Sequence, residues 1–343
     1  MNKNLNWINA LKAICIICVY FVHVESYLHF NVAKSISLVV GSFYVNAFFF
    51  ISGYLLLKKH LDTSAINIGY KEYSTTLGKQ QLENVIFKIA LPTILFSLIE
   101  FFPKRLLRHQ SFKISDLLLE TIGGCTYWFT SALLVAEIIV LLLLFTRKMT
   151  FQRIAILGIL ISFIGIKLNN DTNNLLGLEN DIWSYKNGLM AVGLLTTGGL
   201  FYKYESLMNK LFAKWNLIIH SVILILLLNL TVGKVNCSMT NMDIGGFFLG
   251  LYASVIAVYF CKLLPINNII TFLGRNTLVV YFLSGALPMF FCMLWKSFVG
   301  EPSIMAVILL TIFTLAIATI TTYLIVKYLP FLVDIRKIVS VPK

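Results

Sequence analysis

The stretch Asn9–Tyr27, NALKAICIICVYFVHVESY, is apolar enough for a membrane crossing and yet carries Lys12, His23 and Glu25. At ~100° per residue the step from Lys12 to His23 leaves the two about 20° apart on one helical face, separated by about 16 Å along the axis. One stripe of one helix therefore bears a cation near one end and an imidazole near the other. Ionisable groups inside a span cost at least ~2.5 kcal/mol on insertion scales, so they face a bundle interior or a wet cavity. The stripe is read as the first wall of a site that spans part of a bilayer.

The rest of the chain fits a membrane setting. Of 343 residues, 58% are hydrophobic and only 13% charged, against about a quarter charged in soluble domains. The formal charge of +13 is spread over short connectors and forms no dense patch, so membrane topology accounts for it and a nucleic-acid partner is not expected. Taking about 20 apolar residues per crossing gives about ten helical spans, at about 6–26, 36–57, 84–103, 125–146, 151–168, 187–202, 215–233, 244–264, 271–295 and 304–329. With the N-terminus cytoplasmic, inner connectors hold Lys58, Lys59, Lys71, Lys79, Arg147, Lys148, Arg153, Lys203, Lys210, Lys214 and Lys262 and the tail Lys327, Arg336, Lys337 and Lys343. The outer ones hold Lys34, Lys186, Lys234, Lys296 and the cluster Lys104, Arg105, Arg108 and Lys113. The bias places both termini in the cytoplasm. The expected fold is an all-α polytopic bundle forming one membrane domain over residues 1–343. No small-residue cleavage site follows the first apolar run, which is expected to remain in the mature protein.

The outer cluster KRLLRHQSFK has two readings, a solvated turn or a basic surface that gathers an anionic or phosphate-bearing acceptor. The Asn/Asp-rich connector from Asn169 to Lys186 reads as a polar loop. Cys15 and Cys18 have CxxC spacing, but no second pair follows, so small apolar packing is the reading and no metal site is expected.

His23 is the histidine set well inside a span; an imidazole there serves as a general base or as a hydrogen-bond partner of another helix. His29, His60, His109 and His220 are placed in loops or near span ends, with surface roles. Lys12 either snorkels to headgroups or meets phosphates of a donor. Glu25, two residues from His23, projects to a different face. Asn46 and Ser52-Gly53 lie in an aromatic run, where they suit close helix approach. Tyr127 and Trp128 follow Gly123-Gly124 and suit an interfacial belt. Glu137 is a carboxyl at membrane depth that must be paired, protonated or functional. Arg275 suits either a headgroup or a donor phosphate. No Walker loop or serine nucleophile elbow is present.

Taken together, these stretches resemble the integral-membrane acyltransferase 3 family, most of whose members O-acylate sugars of surface glycans. That family opens with a basic residue, ten intervening residues and a histidine, as Lys12 and His23 do. Its second helix carries FFxxSGF or FFxxSGY, matched here from Phe48, or from Phe49 with a one-residue contraction, through Ser52, Gly53 and Tyr54. Its third has basic residues before a proline, compared here with Lys88 and Pro92. Its fourth has Trp-Phe, here Trp128-Phe129. Near its end come Leu-Gly, a Ser or Thr and a tyrosine, here Leu273-Gly274, Thr277 and Tyr281. Departures are Lys12 for arginine, Asn46 for an acid before the Phe pair, and Ser284 for a histidine after the late tyrosine.

The resemblance implies an acyl-CoA donor, acetyl-CoA first, with no permanently bound cofactor and no metal. It further implies a glycan or lipid-linked saccharide acceptor and the bacterial cytoplasmic membrane. Under it His23 is base or acyl relay. Lys12, Lys88 and Arg275 are contacts for the donor, while Asn46, Ser52, Tyr127, Trp128 and Glu137 are substrate contacts. The rival classes are a polysaccharide or lipid-linked glycan exporter and an inactive scaffold.

Overall fold

A computed structural model describes residues 6–30, 34–64, 78–145, 150–171 and 181–338. Lys71, Arg147, Lys148, Lys343 and the middle of the Asn/Asp-rich connector lie outside the described residues. Those described are helical or in turns, with no strand. The helices are α1 Asn6–Leu28, α2 Lys34–Ser64, α3 Lys79–Leu107, α4 Ile114–Thr121, α5 Trp128–Phe145, α6 Phe151–Asn170 and α7 Tyr185–Lys203. They continue as α8 Glu205–Leu211, α9 Lys214–Leu230, α10 Ile244–Leu263, α11 Asn268–Arg275, α12 Thr277–Phe282, α13 Ala286–Phe298 and α14 Ile304–Tyr328.

Seven of these, α1, α2, α3, α5, α6, α10 and α14, are long and apolar enough to cross a membrane. The pair α8 and α9, bent by 79°, adds an eighth if it is one broken span. Two further expected spans have helical counterparts of a different kind. Over 187–202 lies α7, whose burial against α2, α5 and α6 is achieved with Gly188, Gly193, Thr196, Gly198 and Gly199. Small and hydroxylated residues let backbones approach but lower hydropathy. Over 271–295 the expected single helix is instead three pieces, α11, α12 and α13, interrupted at Asn276 and again at Leu283–Gly285.

Helix α1 is the axis, touching α2, α10, α11, α12, α13 and α14. On its other side α2 lies against α7 so closely that a Cβ at Gly53 would overlap the Leu195 carbonyl, and one at Gly198 the Phe50 carbonyl. Lys88 sits in a π-helical turn, Ile86–Ala90, inside α3. Such turns re-aim side chains relative to a regular helix.

The outer basic cluster divides. Lys104 is largely enclosed beside Glu100 at 2.6 Å, and Arg105 is buried against Asp116 at 2.9 Å and Glu120 at 2.7 Å. A solvated turn is therefore the wrong reading for these two, because acidic partners one turn away on α3 or on α4 draw them inward. Arg108 and Lys113 are exposed. His220 is likewise packed, its Nδ1 2.8 Å from the Tyr252 hydroxyl and its ring stacked on Phe212.

Candidate functional site

Two cavities meet back to back against α1. The first, about 360 Å³, contains Lys12 together with Ser52, Lys59, Gln81, Asn84, Lys88 and Glu137. The second, about 380 Å³, contains His23 with Glu25, Ser37, Tyr44, Trp128, Cys237 and Thr240. Their linings share Phe48, Phe129 and Tyr281. These rings touch one another, Phe48 to Phe129 with centroids 5.4 Å apart and Phe129 to Tyr281 at 5.2 Å edge-on. The stripe read from α1 therefore exists, but its two ends open into separate chambers with an aromatic wall between them.

In the lysine cavity, Lys12 and Glu137 feel each other's charge without forming a direct ion pair. Lys88 is exposed at its edge. Glu137 and Ser52, expected among the substrate contacts, stand on the Lys12 side of the wall. Arg275 does not line this cavity: it is exposed at the end of α11, while Thr277 and Leu278 just beyond it do line it. Gln81, Asn84 and Lys59 were not marked as site residues in the sequence. Lys59 and Gln81 come from polar ends of α2 and α3 that read as connectors, and Asn84 opens the third expected span.

In the histidine cavity the His23 ring stacks on Tyr27, with centroids 5.9 Å apart. Glu25 borders the same space, where Ser37 Oγ donates to its carboxylate at 3.3 Å. A residue two positions from His23 reaches the chamber because the space wraps around α1 toward α2. Trp128 lines it, half-buried. Cys237 also lines it. Burial and the neighbouring Asp243 push its thiol up to about 11, which leaves little thiolate at neutral pH.

Tyr127 and Asn46 serve the frame. Tyr127 is buried, and its hydroxyl donates to the Phe282 carbonyl at 3.0 Å. Asn46 Nδ2 donates to the Ser42 carbonyl at 2.9 Å and reaches the Cys237 carbonyl at 3.4 Å, tying α2 to the loop that roofs the histidine cavity. Gly124, with φ +67°, makes the turn before α5, and a Cβ there would press on the Trp183 ring at 2.8 Å.

The break after α12 frees backbone carbonyls, and side-chain hydroxyls occupy three in succession. Tyr20 donates to Val280 at 2.9 Å, Ser284 to Tyr281 at 2.7 Å and Tyr127 to Phe282 at 3.0 Å. Unsatisfied carbonyls at a buried helix end are costly, so this set holds the break in place. The hydroxyls from α1 and from the turn entering α5 thereby fix Tyr281 in the wall.

Among the described residues no group of three or more His, Cys, Asp or Glu gathers as a metal centre. The cavities contain a histidine base, acids, lysines and polar amides, a set suited to proton transfer and to a partly charged, elongated ligand. Comparison with curated proteins and with solved structures finds no match. A family model described as an acyltransferase domain matches residues 5–323, which include both cavities and the wall. The chain is an integral membrane protein and belongs to the acyltransferase 3 family.

Proposed function

We propose that the protein transfers an acetyl group from acetyl-CoA, taken up on the cytoplasmic side, to a hydroxyl of a cell-surface or lipid-linked glycan. The setting is a bacterial cytoplasmic membrane, with ten helical segments crossing and both termini inside. The observation that carries this reading is the pair of cavities with Lys12 in one and His23 in the other along a single helix. A donor and an acceptor that never share a compartment need that arrangement.

Lys88 and Lys59, at the edge of the lysine cavity, hold donor phosphates. Lys12 shares its cavity with Glu137, and a nearly neutral couple suits the amides of a pantetheine arm more than a phosphate. Arg275 lies outside that cavity and is assigned to headgroups. His23 takes the proton of the acceptor hydroxyl, or carries the acyl group transiently. In the first route the thioester C–S bond breaks as the ester C–O bond forms. The proton then passes from His23 to the departing thiolate. Glu25, Ser37 and Trp128 contact the sugar.

The test is labelled acetyl transfer into envelope glycan by membranes containing wild type or His23→Ala at matched levels. Label in wild type that vanishes in the variant is expected. Equal label in both removes His23 from the mechanism. A glycan exporter is the second reading, favoured by the broken α11–α13 segment, since discontinuous helices line transport sites. Glycan movement without label would select it.

A further inference from the structure

The wall between the cavities suggests more than a separation. The linings have Phe48, Phe129 and Tyr281 in common, so any group passing between the chambers by the shortest route passes these rings. Phe129 is the hub, packed on Phe48, on Phe49 at 4.9 Å and on Tyr281. Phe48 and Phe129 are 7% and 8% exposed, and Tyr281 is 9% exposed, so the wall is closed at rest but thin. Tyr281 brings the one hydroxyl among the three. Its backbone cannot swing freely, because Tyr20, Ser284 and Tyr127 hold the carbonyls around it.

We propose that Phe48, Phe129 and Tyr281 form the acyl-selecting wall: a two-carbon acyl group is admitted between the rings, longer chains are rejected, and the Tyr281 hydroxyl donates to the acyl carbonyl as it enters. This rests on the acyl-transfer reading above. The bonds exchanged are those already stated, with C–S broken, C–O formed and the acceptor proton passing through His23 to the thiolate. Selection by shape follows from close packing. Rings already in contact must be pushed apart by whatever enters, more so for each added carbon, and one unwanted methylene in such a site is worth roughly 10- to 200-fold. A polar carbonyl in the same wall needs a donor, which neither phenylalanine supplies.

The experiment compares acetyl-, butyryl- and hexanoyl-CoA as donors for full-length protein in native membranes, reading labelled glycan and released CoA thiol together. Wild type is expected to prefer acetyl over butyryl by roughly tenfold or more. Phe129→Ala, and separately Phe48→Ala, are expected to narrow that preference to about threefold or reverse it, while Phe129→Leu, which keeps more bulk, falls between. Tyr281→Phe is expected to slow transfer from every donor by roughly 10²-fold, leaving the chain-length preference intact. An unchanged preference in every phenylalanine variant that folds, or a wild type that uses hexanoyl as well as acetyl, overturns selection by the wall. Full activity in Tyr281→Phe overturns the role of its hydroxyl. If wild type transfers none of the three, the acyl-transfer reading itself falls and takes this inference with it.

Discussion

Glu100 Oε2 lies 2.6 Å from Lys104 Nζ, one turn apart on α3, and both side chains are almost wholly enclosed. The ammonium also stands 4.8 Å from the centre of the Tyr127 ring and 3.2 Å from where a Cβ on Gly285 would sit. The pair thus anchors α3 against the turn before α13 and against the tyrosine that holds the end of α12.

Removing one partner leaves the other charged and buried. Glu100→Ala is expected to destabilise the protein by about 3–5 kcal/mol, whereas Glu100→Gln with Lys104→Met recovers much of that loss. Denaturant unfolding in a single detergent checks both, and a single variant as stable as wild type refutes the role.

Tyr127→Phe deletes a hydroxyl and leaves the Phe282 carbonyl unsatisfied. The expected loss is about 1–3 kcal/mol, with a similar figure for Tyr20→Phe at Val280. Because both act on one broken segment, the double variant is expected to depart from the sum of the singles. Thermal unfolding of the four proteins measures this.

Gly53→Ala or Gly198→Ala places a methyl against a carbonyl of the facing helix, and α2 and α7 would have to part. A cost of at least about 1–3 kcal/mol is expected from overpacking, with loss of folded protein in membranes. Gly41→Ala is the control, since nothing lies within 4 Å of a Cβ there.

Cys237 is the thiol in the histidine cavity, and its raised pKa argues against a thioester intermediate on it. Cys237→Ser is expected to retain acyl transfer within about twofold between pH 6 and 8, because a group titrating near 11 stays protonated throughout. A loss comparable with that of His23→Ala would give the sulfur a place in the chemistry.

At the other end, Arg336 donates to Asp334 at 2.8 and 2.7 Å and to Asn84 Oδ1 at 3.2 Å, pinning the tail beside the lysine cavity. The Arg336 hydrogen bonds hold the Asp334 carboxyl below its usual range. Its contribution is then complete above the ordinary aspartate pKa and is lost as pH falls through the depressed folded value. Protease protection of the tail is expected to be constant from pH 8 to 5 and to fall only in stronger acid, and Asp334→Asn abolishes it at every pH.

The α1 stripe was legible because helical periodicity fixes which residues share a face, although its two ends border different cavities. Glu137 stood out because a carboxylate in an apolar run needs an account, and it faces Lys12's cavity. The wall was not legible. Phe48, Phe129 and Tyr281 come from three distant segments, and nothing local distinguishes a dividing phenylalanine from a packing one. The break in the ninth segment was also hidden, since its freed carbonyls are satisfied by Tyr20 and Tyr127 from far away in the chain. A run of apolar residues looks the same whether its helix is whole or interrupted. The inward turn of Lys104 and Arg105 was missed for a related reason: charge counting places a basic cluster at a surface, and only the acids on α3 and α4 reveal that it is neutralised.

The closed contact of Phe48, Phe129 and Tyr281 also bears on bioenergetics. In the membrane setting proposed above, the lysine and histidine chambers would leak protons across the bilayer if they joined. Tilted and edge-on rings with a single hydroxyl offer little to replace an ion's hydration, while a neutral acyl group meets a far smaller electrostatic penalty. A variant that opens the wall would then be harmful in a respiring cell even where no substrate is at hand.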